Sequence, residues 1–383
     1  MAKTKETKIK KLDATNKARD FLSKHKINDY TTILDDSPYS KTSNWISSGS
    51  YSLNRVLSGS YFKGFASNRL YVVAGPSGAG KTVVAGNTTR NAQEDDYTVA
   101  YFDSENAIDK ESMNRMGVDT DSLIYIPIRT ISDLKNQAID LIRKWREEYG
   151  PDAKLMMICD SLGGMAGTKE MNDIEEQKHA SDMGQRAKEL RSTARLLTIE
   201  CGQYNVPMIC TNHTYEQPAA NPQAAPVTKM VGGEGFMYAA SGVIYLKKRA
   251  VREAEKNAAG DNVKVKKGNI LIAVSEKNRF VPEGTSGEIY LDFTRGLSQY
   301  YGLLNDALEF GYFEKKGPRI EVKHLNKSLF ETQIYNKEVF GPILNELNEK
   351  VEAKYKFSNM KEDDLGLKEE LGETTEPQDI DSK

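Results

Sequence analysis

A chain of 383 residues with 53 Lys and Arg against 55 Asp and Glu has a formal net charge of −2 and is 38% hydrophobic. That length exceeds one average domain, so one large α/β core with smaller additions at each end is expected rather than two equal halves. No apolar run approaches membrane-spanning length, the Lys-rich leader lacks an apolar stretch with a cleavage site, and Cys159, Cys201 and Cys210 sit in or beside apolar stretches with no metal-ligand spacing to a histidine, which predicts a cytoplasmic protein with buried, reduced thiols and no membrane anchor.

The charge is unevenly placed: Lys3 to Lys26 is basic, whereas Glu362 to Asp381 is dominated by acids. A basic leader can meet DNA or an acidic partner, and an acidic tail can compete with DNA for the same surface. Charged ends can equally be solvated and frayed. Within residues 1–45, Ala18, Phe21, Leu22 and Ile27 give an apolar helical face too small to be a domain.

From Leu70 to Leu246, short apolar runs alternate with longer helical stretches, the pattern of a mostly parallel sheet covered on both faces. Strands are predicted at Leu70–Ala74, Thr98–Phe102, Leu123–Ile128, Lys154–Cys159, Val206–Thr211 and Val243–Leu246, then less regularly at Ile270–Val274 and Glu288–Phe293. Thr82–Gln93, Ile131–Glu148 and Asp182–Cys201 read as helices; Leu134, Ala138, Leu141, Ile142 and Trp145 form a core stripe on the second. Two long connections, Gly163–Gln177 and Thr214–Met237, lie at the carboxyl ends of predicted strands, where open α/β sheets place ligands. The second carries Pro218, Pro222 and Pro226 and reads as structureless. Residues 250–268 form a polar, Lys-rich insertion. Gly302–Phe310 and Phe330–Val351 read as helices of a small carboxyl-terminal domain, and from Lys361 onward too little is apolar to fold.

Chemistry concentrates at the strand ends. Gly75, Pro76, Ser77, Gly78, Ala79, Gly80, Lys81 and Thr82 form a complete GxxxxGKT phosphate-binding loop between an apolar strand and a helix. Its backbone N–H groups, Lys81 and the helix N-terminus favour the β- and γ-phosphates of a nucleotide, and Thr82 offers a hydroxyl to Mg²⁺. Asp160 ends the apolar strand Leu155-Met-Met-Ile-Cys, the place for an acid on the magnesium side. Asp103 and Glu105 end another strand; Glu105 is placed to polarise a water in line with the γ-phosphate, although both acids would also serve as helix caps. His213, between a core strand and the proline-bearing loop, reads as a reporter of nucleotide state or as a partner for a buried carbonyl.

In this order the elements resemble the RecA family, and within it the phage recombinases. The likeness runs from Ile46-Ser-Ser-Gly-Ser to about Gly311 and includes Tyr101-Phe-Asp-Ser-Glu, Arg115-Met-Gly-Val-Asp, Asp160-Ser-Leu-Gly, Ser181-Asp-Met, Asn212-His-Thr, Gly232-Gly-Glu-Gly-Phe-Met-Tyr, Lys247-Lys-Arg and Ser275-Glu-Lys-Asn-Arg. It implies a RecA-like ATPase core, a twisted, mostly parallel sheet with helices on both faces, over 46–300, an amino-terminal protomer-packing segment over 1–45, a small α/β domain over 301–360 and a disordered acidic tail over 361–383. It also implies ATP-dependent homologous recombination with DNA-stimulated hydrolysis. A helical homo-oligomer would form on single-stranded DNA and exchange strands with a homologous duplex, helped by a single-strand-binding protein and a loading mediator in the host cytoplasm.

Position by position, the likeness makes Glu105 the catalytic carboxylate, Asp160 the magnesium-side acid and Asp109 a neighbour of adenine, while Ser112 beside Met113 replaces a stacking aromatic. His213 stands where bacterial members carry glutamine. Lys277 and Arg279 resemble the pair that reaches the neighbouring protomer's phosphates, which would sandwich each ATP between subunits. The long loops match the family's DNA-binding loops: Gly163, Gly164 and Met165 would offer close backbone approach and a soft wedge, and Lys169, Lys229, Gly232 and Gly233 charge and exposed amides. Phe236 and Tyr238 would make apolar or interface contacts, though without the likeness they read as core of the next helix. Two other functions fit the same core, a ring-forming replicative helicase and a non-catalytic paralogue. The short stretch ahead of the phosphate loop speaks against the first, and intact Lys81, Thr82, Glu105 and Asp160 against the second.

Overall fold

The computed structural model describes residues 16–25, 27–28, 31–37, 42–175, 183–218, 226–256 and 262–355. The chain opens with helix α1 (16–24), then β1 (Trp45–Ile46), α2 (Tyr51–Ser58), β2 (Phe65–Ala66), β3 (Leu70–Gly75) and α3 (Lys81–Glu94). Next come β4 (Thr98–Asp103), α4 (Lys110–Arg115), β5 (Leu123–Pro127), α5 (Ile131–Tyr149), β6 (Leu155–Asp160), α6 (Thr168–Glu175) and α7 (Met183–Tyr204). β7 (Met208–Gln217), β8 (Val227–Met230), α8 (Gly235–Ala239), β9 (Gly242–Lys256), β10 (Asn262–Asn278), β11 (Ser286–Asp292) and β12 (Gly296–Leu297) complete the main body.

The large sheet has the order β12-β11-β10-β9-β3-β7-β6-β4-β5, with β8 paired to β7 off that path. From β9 to β5 all neighbours are parallel, and from β9 to β12 antiparallel. β3 and β6 are buried at every position, as strands covered on both faces must be. Their side chains alternate: Leu70, Val72 and Ala74 join one apolar cluster under α5 and α7, whereas Tyr71 and Val73 join another under α2 and α3. α5 begins with a reciprocal cap between Thr130 and Asp133 and turns Ile131, Leu134, Ala138 and Ile142 inward. Leu141 and Trp145 are partly buried against the same cluster, so the predicted stripe is a core face.

A third cluster occupies the carboxyl-terminal region, α9 (Leu304–Glu309), β13 (Phe313–Lys316), β14 (Arg319–Val322), β15 (Lys327–Phe330), α10 (Glu331–Ile334), α11 (Lys337–Phe340) and α12 (Leu344–Tyr355). Tyr61, after α2, enters this cluster and donates its hydroxyl to Asp306 at 2.6 Å; Arg55 Nε lies 3.3 Å from the same carboxylate. That buried pair ties the third cluster to the main body.

Three expectations need correction. The second long connection is not structureless throughout: β7 overruns the sheet and pairs with β8, Thr214 facing Met230 and Gln217 facing Val227, with Pro218 directly after β7 and Pro226 directly before β8. Residues 250–268 are not a loose insertion, because β9 and β10 extend as a ladder from Gly242–Asn278 out to Lys256–Asn262 with an irregularity between Lys266 and Gly268. Phe330–Val351 is not one helix; Phe330 ends β15, the backbone leaves the helical region at Tyr335 and Asn336, and Gly341–Ile343 tightens to a 3-10 turn between α11 and α12. The strands that the expected α/β character of the carboxyl-terminal region requires are the three-stranded antiparallel sheet β13-β14-β15, each too short to show alternation in sequence. The first fifteen residues, 176–177 and 219–225 of the loops, and the acidic tail from 361 lie outside the described residues. Among the described residues no helix is long and apolar enough to cross a membrane.

Candidate nucleotide and nucleic-acid sites

Parallel pairing brings the carboxyl ends of β3, β4, β6 and β7 together. Gly75 is level with His213 and Asp103 with Asp160. The phosphate loop leaves β3 there, curled by positive φ at Gly78 and Gly80 (67° and 83°), and delivers Lys81 to the first turn of α3. Lys81 is 7% exposed; its Nζ folds over the loop and donates to the carbonyls of Gly75 (3.0 Å) and Pro76 (3.1 Å). Burial holds its pKa below that of a free lysine, against the opposing pull of Asp160 and Glu105.

Asp160 is 4% exposed and accepts three hydroxyls: Thr82 Oγ1 at 2.8 Å, Tyr101 at 3.0 Å and Thr211. The adjoining Thr82 and Asp160 oxygens are a hard-oxygen donor set of the sort Mg²⁺ takes beside phosphates. Among the described residues no cluster of three or more His, Cys, Asp or Glu could hold a metal by itself.

Glu105 receives the Ser161 hydroxyl, and His213 Nε2 lies 3.0 Å from its Oε1. His213 Nδ1 is 3.5 Å from Lys81 Nζ. The ring thus bridges the Lys81 ammonium and the Glu105 carboxylate. Burial raises the Glu105 pKa, but the hydrogen bonds from Ser161 and His213 and the charges of His213 and Lys81 outweigh it and hold the carboxyl below its ordinary range. Asp103, 1% exposed, caps no helix but holds the turn after β4, accepting the N–H groups of Glu105, Ala107 and Ile108 and the Tyr125 hydroxyl.

Beside this site the two long connections line a single cleft of about 880 Å³, walled by Gly163, Gly164, Lys169, Arg186, Tyr215, Gly232 and Gly233 among others. Arg186 of α7 braces the first connection, donating to the carbonyls of Met165 (3.1 Å) and Gly163 (3.2 Å). The cleft and the acid–histidine pair share a wall: a Cβ on Gly163 would lie 3.2 Å from His213 Cδ2, and one on Gly164 3.1 Å from Glu105 Cγ. Lys229 sits opposite Tyr215 in the β7–β8 hairpin.

The description "RecA N-terminal domain" fits residues 23–282, about two thirds of the chain. The chain belongs to the RecA family. Within curated RecA relatives, the "Recombination and repair protein" of Enterobacteria phage T4 is 32% identical over 268 residues, which are 69% of this chain and 63% of that protein. The match thus spans a little under two thirds of that relative's length. "Protein RecA" of Desulforapulum autotrophicum is 27% identical over 308 residues (78% of this chain, 81% of the relative). "Protein RecA" of Mycoplasmopsis pulmonis is 24% identical over 316 residues (80% and 86%). The phage kinship expected from the motifs is borne out, as is the RecA-like α/β core.

The RecA match covers the phosphate loop, both connections, Asp109, Lys277 and Arg279. Asp109 is the exposed N-cap of α4, accepting Ser112 N–H at 2.9 Å. Lys277 is level with Val243 and hence with Val72, three residues before Gly75, so it lies about 10 Å down the sheet from its own phosphate loop. There its Nζ donates to the carbonyls of Met237 (2.9 Å) and Tyr238 (2.6 Å).

Phe236, 3% exposed, is packed in the cluster under α7, the core position that it reads as without the likeness. Met165, 2% exposed, belongs to the same cluster and also borders the cleft. Tyr238 is 65% exposed. Sequence reasoning missed Arg186, the hydroxyls of Tyr101 and Thr211 on Asp160, and Lys248, whose Nζ donates to Ser77 O at 2.6 Å. Strand alternation could have found the last, since Lys248 follows buried Leu246 by two on the strand beside β3.

Proposed function

We propose that this protein is an ATP-dependent homologous recombinase that polymerises as a helical filament on single-stranded DNA, finds a homologous duplex and exchanges strands. The observation that supports this reading is the shared wall, on which glycines abut the Glu105–His213 pair on one side and line the cleft on the other. A strand seated on Gly163 and Gly164 would press on the pair that handles the γ-phosphate, which is a physical route for DNA to stimulate hydrolysis.

The loop amides, the α3 N-terminus and Lys81 would hold the phosphates of ATP, with Lys81 leaving its two carbonyls to do so. Thr82 and Asp160 would hold Mg²⁺, which supplies charge neutralisation at the phosphates. Glu105, kept ionised by Ser161 and His213, would orient a water and accept its proton as the water oxygen bonds to the γ-phosphorus and the bridging bond breaks. His213, bonded to both Lys81 and Glu105, would report the γ-phosphate to the second connection. The backbone of Gly163, Gly164, Gly232 and Gly233 with Lys169 and Lys229 would follow the strand's phosphates, contacts that ignore sequence and leave homology to base pairing.

Lys277 and Arg279, at the opposite end of the sheet from their own loop, would complete the site of the next protomer. The amino-terminal segment supports the same assembly: Phe21 on α1 is 50% exposed and Ile27, beyond the end of that helix, 64%, apolar surface suited to a neighbour, and residues 1–45 would serve as the packing segment of a core over 46–300. A small domain over 301–360 would follow the core, an acidic tail over 361–383 would compete with DNA for basic surface, and a single-strand-binding protein and a loading mediator would compete for or prepare the strand.

The full-length protein mixed with ATP, a single strand and a homologous duplex should yield joint molecules. Glu105→Gln and Lys277→Ala should not turn them over. Joint molecules formed equally with an unrelated duplex, or closed rings that unwind a fork, would replace this reading with another.

A further inference from the structure

The glycines of the phosphate loop each abut the β9–β10 pair. A Cβ on Gly75 would strike Leu246 O at 2.7 Å, one on Gly80 would strike Leu271 Cδ1 at 2.7 Å, and one on Gly78 would lie 3.0 Å from Lys248 Nζ. The first and last parts of the loop are therefore seated on buried strand residues, Leu246 and Leu271, 1% and 0% exposed. Its tip is different: Pro76, Ser77 and Gly78 are exposed and project past Ala74–Tyr245, the last β3–β9 pairing. Lys248, two residues beyond Leu246 on the same strand face, reaches that tip and donates to Ser77 O at 2.6 Å.

We infer that Lys248 is a positioning residue of the nucleotide site: its ammonium pins the tip of the phosphate loop in the curled shape that accepts phosphates. The inference rests on the reading of the loop as an ATP site. A three-residue tip that ends on a left-handed glycine keeps conformational freedom, and any freedom lost on binding weakens the complex. The hydrogen bond to Ser77 removes part of that freedom beforehand. Lys248 also adds positive charge beside Lys81, whose pKa it lowers further after the dominant effect of burial. Because the grip is on the loop and not on the γ-phosphate, ATP and ADP should benefit alike, and the contribution should appear in binding rather than in turnover.

The test uses the full-length protein, fluorescent ATP and ADP analogues, and DNA-stimulated hydrolysis, with Lys248→Gln and Lys248→Arg beside the wild type. An exposed charge-assisted hydrogen bond implies that Lys248→Gln weakens both nucleotides and raises KM about fivefold, with kcat within about twofold of wild type. Lys248→Arg should recover most of the affinity, since a guanidinium also donates to a carbonyl. Unchanged affinity and KM in Lys248→Gln, with wild type binding ATP, overturns this inference alone. So does an Arg variant no better than Gln with unfolding temperatures lowered in both, the mark of a merely structural residue. A wild-type protein that binds neither nucleotide overturns the ATP reading and this inference with it.

Discussion

Removing the Asp306 carboxylate should detach the third apolar cluster from the main body. Asp306 is 6% exposed, accepts the Tyr61 hydroxyl at 2.6 Å and faces Arg55 Nε at 3.3 Å. Asp306→Ala leaves an Arg55 side chain only 11% exposed with two neutral acceptors, Tyr355 OH at 2.9 Å and Ser286 O at 2.7 Å. Breaking one side of a buried ion pair costs about 3–5 kcal/mol, and the two remaining acceptors place this case near about 3 kcal/mol. At about 2–4 °C per kcal/mol for a large domain, the unfolding midpoint should fall by about 6–12 °C, with faster amide exchange across 303–355 than across β3 or β6. The double variant Asp306→Leu with Arg55→Met, which removes both charges, should recover much of that loss. Calorimetry and hydrogen exchange read both quantities. A midpoint within about 2 °C of wild type for Asp306→Ala, or a double variant no better than the single, would refute the reasoning that the pair is the tie.

Further outcomes follow from the nucleotide site. Glu105→Gln should cut ATP hydrolysis by about 10²–10⁴-fold while nucleotide-dependent DNA binding persists, read by phosphate release and anisotropy; loss of both together would assign Glu105 a structural part. Glu105 acts as a carboxylate, so turnover is lost as pH falls through its pKa. With that pKa held down by Ser161 and His213, turnover should stay flat from neutral pH to below about 4.3, the ordinary value for a glutamate, or until the fold itself fails. His213→Ala removes one of the groups holding it down and should move that limb upward; an unmoved limb would disconnect the two residues. Gly164→Ala places a Cβ 2.7 Å from Ser104 Oγ and 3.1 Å from Glu105 Cγ, so DNA stimulation of hydrolysis should fall more than hydrolysis without DNA. Equal losses would contradict the shared wall.

The strands of the parallel block were legible because each is a short apolar run with a polar end, and the chemistry sits at those ends: Gly75, Asp160, Glu105 and His213 were all named from sequence and converge in space. What escaped notice depends on partners distant in sequence. β7 continues into a hairpin because Val227–Met230 returns to pair with it, which proline-rich composition concealed. The polar residues after Leu246 are strand because β10 supplies the ladder, and Lys248 meets Ser77 across 171 positions. Met165, beside glycines, reads as a wedge toward the strand, yet packing against the cluster under α7 decides its burial. The hydroxyls of Tyr101 and Thr211 were visible as residues, but their convergence on Asp160 is set by the order β7-β6-β4, which periodicity does not encode.

The most direct measurement of shared catalysis mixes two inactive proteins in equal amounts on single-stranded DNA: Glu105→Gln, which keeps Lys277 and Arg279, and Lys277→Ala, which keeps Glu105. In a head-to-tail assembly about one interface in four then pairs an intact Glu105 with an intact Lys277, so ATP hydrolysis should return to about a quarter of the wild-type rate. A mixture no more active than the sum of its two components would contradict a nucleotide site completed by the neighbouring protomer.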